Sequence, residues 1–247
     1  MLKVPNNKKP FIIVLEGGDG VGKSTQVAEL KRALKAAYPY LTIATYKFPN
    51  YESTTGKKIK EYLEGKLPMT DNDDFDYIKK ASSLYAYNRF EFFNSVYYKT
   101  MLEFIDVLIL DRYNSANLIH MSANLLNKNY GREDVATYKE WDEAFEFDFL
   151  KIPRPNITFY LDLEHEISLK NISKRNEENK NSDVDIHETE EHLSNIKRAK
   201  EYLNYFGFET IDIKCNDSKG NMLPKEVITE MLFFVAVEEL RRVDIVK

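Results

Sequence analysis

The chain of 247 residues has a single cysteine, Cys215, so no internal disulfide can form, and the sequence suits a reducing compartment. No apolar run approaches the length that crosses a membrane. Met1 to Pro10 is polar and lysine-bearing and lacks the apolar stretch of a secretory signal. Positive charge is not in excess. The net charge of −5 argues against a general nucleic-acid binder. No internal repeat is visible, and no linker composition divides the chain. These absences leave one expectation: a cytoplasmic globular protein, a single domain over 1–247, with neither nucleic acid nor a membrane as partner. The 43% hydrophobic content is enough for a sizeable core.

What is present begins with Leu15-Glu16-Gly17-Gly18-Asp19-Gly20-Val21-Gly22-Lys23-Ser24-Thr25. An apolar run from Phe11 to Leu15 precedes it, and a helical pattern carrying Val27, Leu30 and Leu34 on one face follows. Strand, then G-x-x-x-x-G-K-S, then helix is the context that a phosphate-binding P-loop requires. Gly17, Gly18, Gly20 and Gly22 let the backbone wrap closely and, with Asp19, Val21 and Thr25, turn its N–H groups toward phosphate oxygens. The helix N-terminus adds partial positive charge. Lys23 has the reach to meet the β- and γ-phosphates, and Ser24 has the hydroxyl to ligate Mg²⁺. The rival reading is a glycine-rich turn that merely caps a helix.

Further along, strand and helix patterns alternate. Strands are expected over Leu41–Phe48, Val107–Leu110, Ile157–Leu161 and Glu209–Ile213. Helices are expected over Thr54–Leu63, a long Phe75–Glu103, Asn114–Leu126, Asp134–Leu150, His165–Lys174, Glu188–Tyr205 and Pro224–Arg242. Asn176 to His187 is charged and nearly devoid of apolar residues, the composition of a mobile loop. The pattern predicts an α/β fold: a five-stranded parallel sheet of the P-loop NTPase type, with helices on both faces and a mobile lid. Functional residues in such a sheet follow the C-terminal ends of the strands. Asp111-Arg112-Tyr113 stands at such a place. Asp111 there can hold Mg²⁺ or cap the next helix, and Arg112 can meet a phosphate or a surface carboxylate. Tyr85 and Arg89, four apart on a helix, share a face. Read alone they are core packing and a solvated charge. Together they suit a base, with the ring stacking and the guanidinium donating.

Over most of its length the chain resembles the thymidylate kinase family. Glu16 to Gln26 resembles that family's P-loop, Phe48-Pro49 its turn after the second strand, Leu84 to Arg89 its Leu-Phe-x-x-x-Arg helix, and Asp111 to His120 its Asp-Arg-Tyr segment. The resemblance implies that Asp19 bonds the deoxyribose 3′-OH. It implies that Tyr85 stacks on thymine, that Arg89 reaches a base oxygen, that Arg112 holds the acceptor phosphate, and that Asn117 pairs with the base. His120 falls near the sugar 2′ carbon, where members usually carry a tyrosine or a glutamine-like residue. Members often carry an arginine just after Phe-Pro. Here Asn50 and Tyr51 stand there, and Tyr51 can offer only a neutral hydrogen bond. Gly20 occupies the position where some members place a catalytic arginine. The other members supply it from a lid, here about 174–187, where Arg175 is the candidate catalytic cation. The resemblance also implies a homodimer. The aromatic stretch from Leu84 to Tyr98 could supply the interface or be plain core. The turn after Ile213 would lie near adenine.

The expected reaction is transfer of the γ-phosphate of ATP, with Mg²⁺, to dTMP, giving dTDP. The rivals are a deoxynucleoside kinase, for which Glu52 is the candidate base, and a non-catalytic P-loop binding module. The Asn-Lys-x-Asp of a GTPase is missing where the fourth strand ends, at Leu161-Asp162-Leu163-Glu164.

Overall fold

Phe11, Ile13 and Leu15 turn to one side of their strand, and Ile12 and Val14 to the other. All five are buried. Val107 and Ile109 alternate in the same way with Leu108 and Leu110. A strand that is apolar on both faces must lie inside a sheet covered on both sides. The structure, a computed structural model, describes residues 9–67, 74–164, 166–171 and 190–247. Its elements in order are β1 (Phe11–Gly17), α1 (Lys23–Ala37), β2 (Ile43–Lys47), α2 (Thr54–Leu63), α3 (Asp74–Asn94), α4 (Val96–Leu102), β3 (Val107–Asp111) and α5 (Asn114–Asn127). Then come α6 (Arg132–Glu143), a π-helical turn (Ala144–Phe149), β4 (Ile157–Asp162), the short helix α7 (166–171), α8 (Glu190–Tyr205), β5 (Ile211–Lys214) and α9 (Lys225–Arg242).

The strands form one parallel sheet in the order β2-β3-β1-β4-β5. The predicted five-stranded α/β architecture is the one observed. Register pairs Leu15 and Lys47 with Asp111, and Gly17 with Leu161, so the ends of β1, β2, β3 and β4 come level at one edge. One face is covered by α1 and α9 through Leu30, Leu34, Leu232 and Leu240. The other is covered by α3, α4 and the π-helical turn through Phe92, Phe93, Tyr98 and Phe147. A third cluster joins α3, α5, α6 and α8 beside the sheet. Cys215 belongs to the cluster on the sheet's first face, and burial pushes its thiol up to about 12, so it is not a reactive thiolate at neutral pH. Among the described residues, no helix is long and apolar enough to cross a membrane.

Two helix expectations change. The long helix over 75–103 breaks at Ser95, whose backbone is extended and whose hydroxyl accepts from the Tyr98 N–H at 3.2 Å. A serine able to satisfy the first turn of a new helix competes with continuing the old one. The helix over 134–150 begins at Arg132 and changes pitch at Ala144, where the Leu150 N–H reaches back five residues to the Phe145 carbonyl at 2.9 Å. Trp141, Phe145 and Phe149 then stack in a ladder, with Phe149 70% exposed. The opposite side of the same turn carries Asp142 and Glu146 inward, both fully buried. The aromatic stretch 84–98 is mostly core: Phe92, Phe93 and Tyr98 are buried and Tyr87 is exposed. The lid expected at about 174–187, with Arg175, lies outside the described residues.

Candidate active site

β1 ends at Gly17, whose positive φ and close packing tolerate no side chain. A Cβ there would meet the Leu161 carbonyl oxygen at 2.7 Å. The loop then turns through Gly20 and the left-handed Gly22 into α1. Lys23, at the first turn, folds back so that Nζ donates to the carbonyls of Gly17 (2.9 Å) and Gly18 (2.6 Å). The next helix in space braces the loop from outside: Ser168 donates to the Asp19 carbonyl, and Asn171 donates to that of Gly20 at 2.9 Å. Asn171 also lies 3.3 Å from the sulfur of Met222, so the segment after β5 reaches the loop.

Asp111 is the last residue of β3, one strand over. Its Oδ2 accepts from Ser24 Oγ at 2.6 Å, and its buried Oδ1 has no partner among the described residues. Tyr113, not Asp111, stands at the N-cap of α5, so the capping alternative for Asp111 falls. A hydroxyl and a half-satisfied buried carboxylate facing each other at the phosphate end of the loop suit Mg²⁺, which takes one or two protein oxygens and completes its shell with phosphates and water. The residues present therefore fit the ion.

Arg112 has φ of 67°, a costly backbone for a non-glycine residue, held by its N–H bond to the Leu15 carbonyl at 3.0 Å. That geometry swings the guanidinium over the loop. It donates to Asp19, stands 3.6 Å from Glu16, and lies 3.3 Å from His120 Nε2. A guanidinium only donates, so a hydrogen bond between the two requires Nε2 of His120 to accept. Lys23 approaches Asp19 from the other side at 3.7 Å. Burial works against the Asp19 charge, but Arg112 and Lys23 outweigh it and hold the carboxyl near about 2. Lys23 itself is driven down to about 8, first by burial and then by the Arg112 charge. The last residue before the glycines, Glu16, belongs to the same cluster. It is buried, and its carboxylate accepts from Ser115 Oγ and the Gly17 N–H, each at 3.1 Å. The sequence places Glu16 at the start of the loop stretch but gives it no role, although a carboxylate ending an otherwise apolar strand was its signal.

The turn after β2 is built on Phe48, buried among Tyr46, Phe92 and Tyr113, followed by a cis bond to Pro49. Asn50 is occupied in holding that turn: its N–H donates to Asn88 Oδ1 at 2.9 Å and its side chain donates to the Tyr46 hydroxyl at 2.7 Å. Tyr51 is exposed. Gly56 in α2 sits so close that a Cβ would lie 1.7 Å from the Asn50 carbonyl oxygen. Gly56→Ala is expected to push α2 off this turn and cost about 1–3 kcal/mol. Urea unfolding reads the loss, and an unchanged midpoint would show the turn is free to shift.

On α3, Tyr85 is half-buried against the helical cluster. Arg89 is not the solvated charge that its residue type alone suggests. It is 2% exposed and clamped by Glu146, with Nε donating to Oε2 at 2.7 Å and Nη2 to Oε1. Asn117 on α5 is buried beside it, and its Nδ2 donates to the Ser82 carbonyl (3.1 Å), to Ser82 Oγ (2.9 Å) and to Glu146 Oε1 (3.4 Å). Asp142 accepts from Ser82 Oγ (2.7 Å) and the Tyr138 hydroxyl (3.2 Å). Burial first and the Glu146 charge second raise its pKa well above the carboxylate range. Ser82, Tyr138, Asp142 and Glu146 were all missed in the sequence, because nothing local marks a carboxylate on an aromatic-rich helix as inward-facing.

The arrangement brings Lys23, Ser24, Asp19, Asp111, Arg112 and His120 into one cluster at the ends of β1 and β3. Arg89 and Asn117 join through a second, buried cluster. A family model described as thymidylate kinase matches residues 15–222. The chain is 30% identical over 166 residues to a putative thymidylate kinase of Invertebrate iridescent virus 6, covering 67% of this chain and 64% of that one. It is 28% identical over 159 residues to a thymidylate kinase of Mycobacterium tuberculosis, covering 64% and 68%. These alignments thus span about two thirds of each relative. A solved thymidylate kinase structure from Candida albicans superposes with a TM-score of 0.57 at 20% identity, covering 94% of this chain and 93% of that one, which is a likeness of fold.

Proposed function

The chain belongs to the thymidylate kinase family, and we propose that it transfers the γ-phosphoryl group of ATP to the 5′-phosphate of dTMP, giving dTDP. The observation that carries this reading is the convergence of two cations on Asp19, Lys23 from the P-loop and Arg112 from the end of β3. They mark two neighbouring places for phosphate, one for the donor and one for the acceptor.

In this reading the loop from Gly17 to Thr25 wraps the ATP phosphates, and Lys23 exchanges its carbonyl contacts for β- and γ-oxygens. Ser24 and Asp111 would hold Mg²⁺, which would supply positive charge against the phosphate oxygens. Arg112 leaves Asp19 for the acceptor phosphate, and Asp19 turns to the sugar 3′-OH. Phe48, Pro49 and Tyr51 wall the acceptor, Tyr85 stacks on the base, Arg89 and Asn117 read it, and His120 crowds the sugar 2′ side. Arg175 supplies a further cation from the lid. The attacking oxygen is already anionic, so no strong base is needed, and catalysis consists of positioning and charge neutralisation. The protein acts as a homodimer, which light scattering checks: the mass of a single chain rejects that part.

The test is incubation with ATP and Mg²⁺ and a panel of dTMP, dUMP, UMP, dCMP, AMP, GMP and thymidine. Conversion of dTMP to dTDP with little from UMP is expected. Turnover of thymidine without dTMP would make the protein a nucleoside kinase, and no product from any acceptor would leave a binding module.

The depressed pKa of Lys23 makes a pH prediction. Above about 8 the free protein loses the Lys23 charge. ATP affinity, measured by titration from pH 7 to 10, should therefore begin to fall near pH 8 rather than near 10. The folded state releases this proton before the unfolded state does, so the Lys23 contribution to stability rises between these values. An affinity flat to pH 10 would contradict the assignment.

A further inference from the structure

Arg89 and Asn117 come from different helices, yet both end on the same side chain. The carboxylate of Glu146 takes Nε and Nη2 of Arg89 and lies 3.4 Å from Nδ2 of Asn117. Glu146 is fully buried and is delivered by the π-helical turn after α6. Its effect on each partner follows from donor and acceptor chemistry. The amide of Asn117 faces the Glu146 carboxylate and the Ser82 carbonyl, which can only accept. The NH₂ end must therefore point at them, and Oδ1 must point away. Arg89 spends Nε and one N–H of Nη2 on the carboxylate, and among the described residues Nη1 has only a long contact, 3.4 Å, to the Tyr113 carbonyl. What the pair offers a ligand is therefore an acceptor, Oδ1 of Asn117, and donors alone from Arg89, whose remaining N–H groups are on Nη1 and Nη2.

We propose that Glu146 is the positioning residue that sets the hydrogen-bond polarity of base recognition, selecting pyrimidines with an imide edge over those with an amino group. A thymine or uracil edge offers a ring N–H donor beside a carbonyl acceptor, the complement of this pair. Cytosine offers the reverse at both positions, so each contact becomes a clash of like groups. A site built to pair buried polar groups rejects a ligand that leaves them unpaired far more strongly than an apolar pocket rejects a change of size. Asp142, four residues earlier, accepts from Ser82 and Tyr138 and so fixes the Ser82 hydroxyl that also faces Asn117. This inference rests on the reading of the protein as a dTMP kinase.

The test compares kcat/KM for dTMP and dCMP in the intact protein, Glu146→Gln and Glu146→Asp, with thermal unfolding alongside. Glutamine presents one acceptor and one donor, so either Arg89 loses its partner or the Asn117 amide turns over. The dTMP-to-dCMP ratio should fall roughly ten- to a hundredfold in Glu146→Gln. Glu146→Asp keeps the charge on a shorter stem and should give an intermediate ratio. If Glu146→Gln does not fold, Glu146→Asp decides alone. Equal losses for both substrates with an unchanged ratio in a folded variant would overturn the proposal and leave Glu146 a structural ion-pair partner. If the intact protein does not turn over dTMP, it is the dTMP kinase reading that fails.

Discussion

Lys23→Met is expected to lower kcat on the order of a thousandfold, as loss of a preorganised cation or donor at a transferring group does. Methionine keeps most of the aliphatic stem, so packing at the start of α1 changes little, and the variant tests charge rather than shape. Two facts concentrate the effect. Lys23 is 8% exposed, so little solvent screening dilutes its field, and Nζ already lies within the loop proposed to wrap the phosphates. Arg112 cannot substitute, because it is built on another strand end and directed toward Asp19. The carbonyls of Gly17 and Gly18 lose a donor, which costs about 1 kcal/mol of stability each at most. A rapid-quench single-turnover assay with saturating ATP and dTMP separates chemistry from binding. A fall of less than tenfold would show that the backbone of the loop, not Lys23, carries the charge.

Arg89→Met is the second large effect, and it acts on stability as well as on the base. Removing the cation leaves Glu146 buried and unpaired next to Asp142, a loss of about 3–5 kcal/mol. For a domain of this size each kcal/mol moves the unfolding midpoint by roughly 2–4 °C. Thermal unfolding of the variant beside the intact protein reads the loss. Arg89→Met with Glu146→Met removes both charges and should unfold closer to the intact protein, since an apolar pair of similar volume replaces a buried ion pair at little cost. It should still lack base selection. A loss below about 1 kcal/mol in the single variant would mean that Glu146 finds another partner.

Local chemistry made most of the frame legible. The run Phe11–Leu15 reads as a buried strand, and the glycines after it as a tight turn suited to phosphate, from the pattern of apolar and φ-permissive residues. Asp111-Arg112 after Val107–Leu110 could be placed at a functional edge because parallel strands end together. Thr54–Leu63, with Ser53 before it, had both ends written in its residues, and the observed helix has those bounds. Where the reading slipped, a competing interaction lay close by. Ser95 could either continue a helix or cap a new one, and periodicity does not separate the two.

The order of strands and helices, the P-loop, and the acid and arginine that follow the third strand were determined by the sequence alone, since each depends on residues adjacent in the chain. The partner of Arg89 was not. Arg89 and Glu146 stand 57 positions apart, on α3 and on a turn whose pitch changes within one residue of Glu143. Which face of that turn points inward depends on where the helix that carries it packs. The ladder of Trp141, Phe145 and Phe149 would by hydrophobicity alone have faced the core. Only the tertiary structure turned Asp142 and Glu146 inward. A buried arginine must be neutralised by a carboxylate in contact with it, and contact is a property of the packed molecule, not of spacing along the chain.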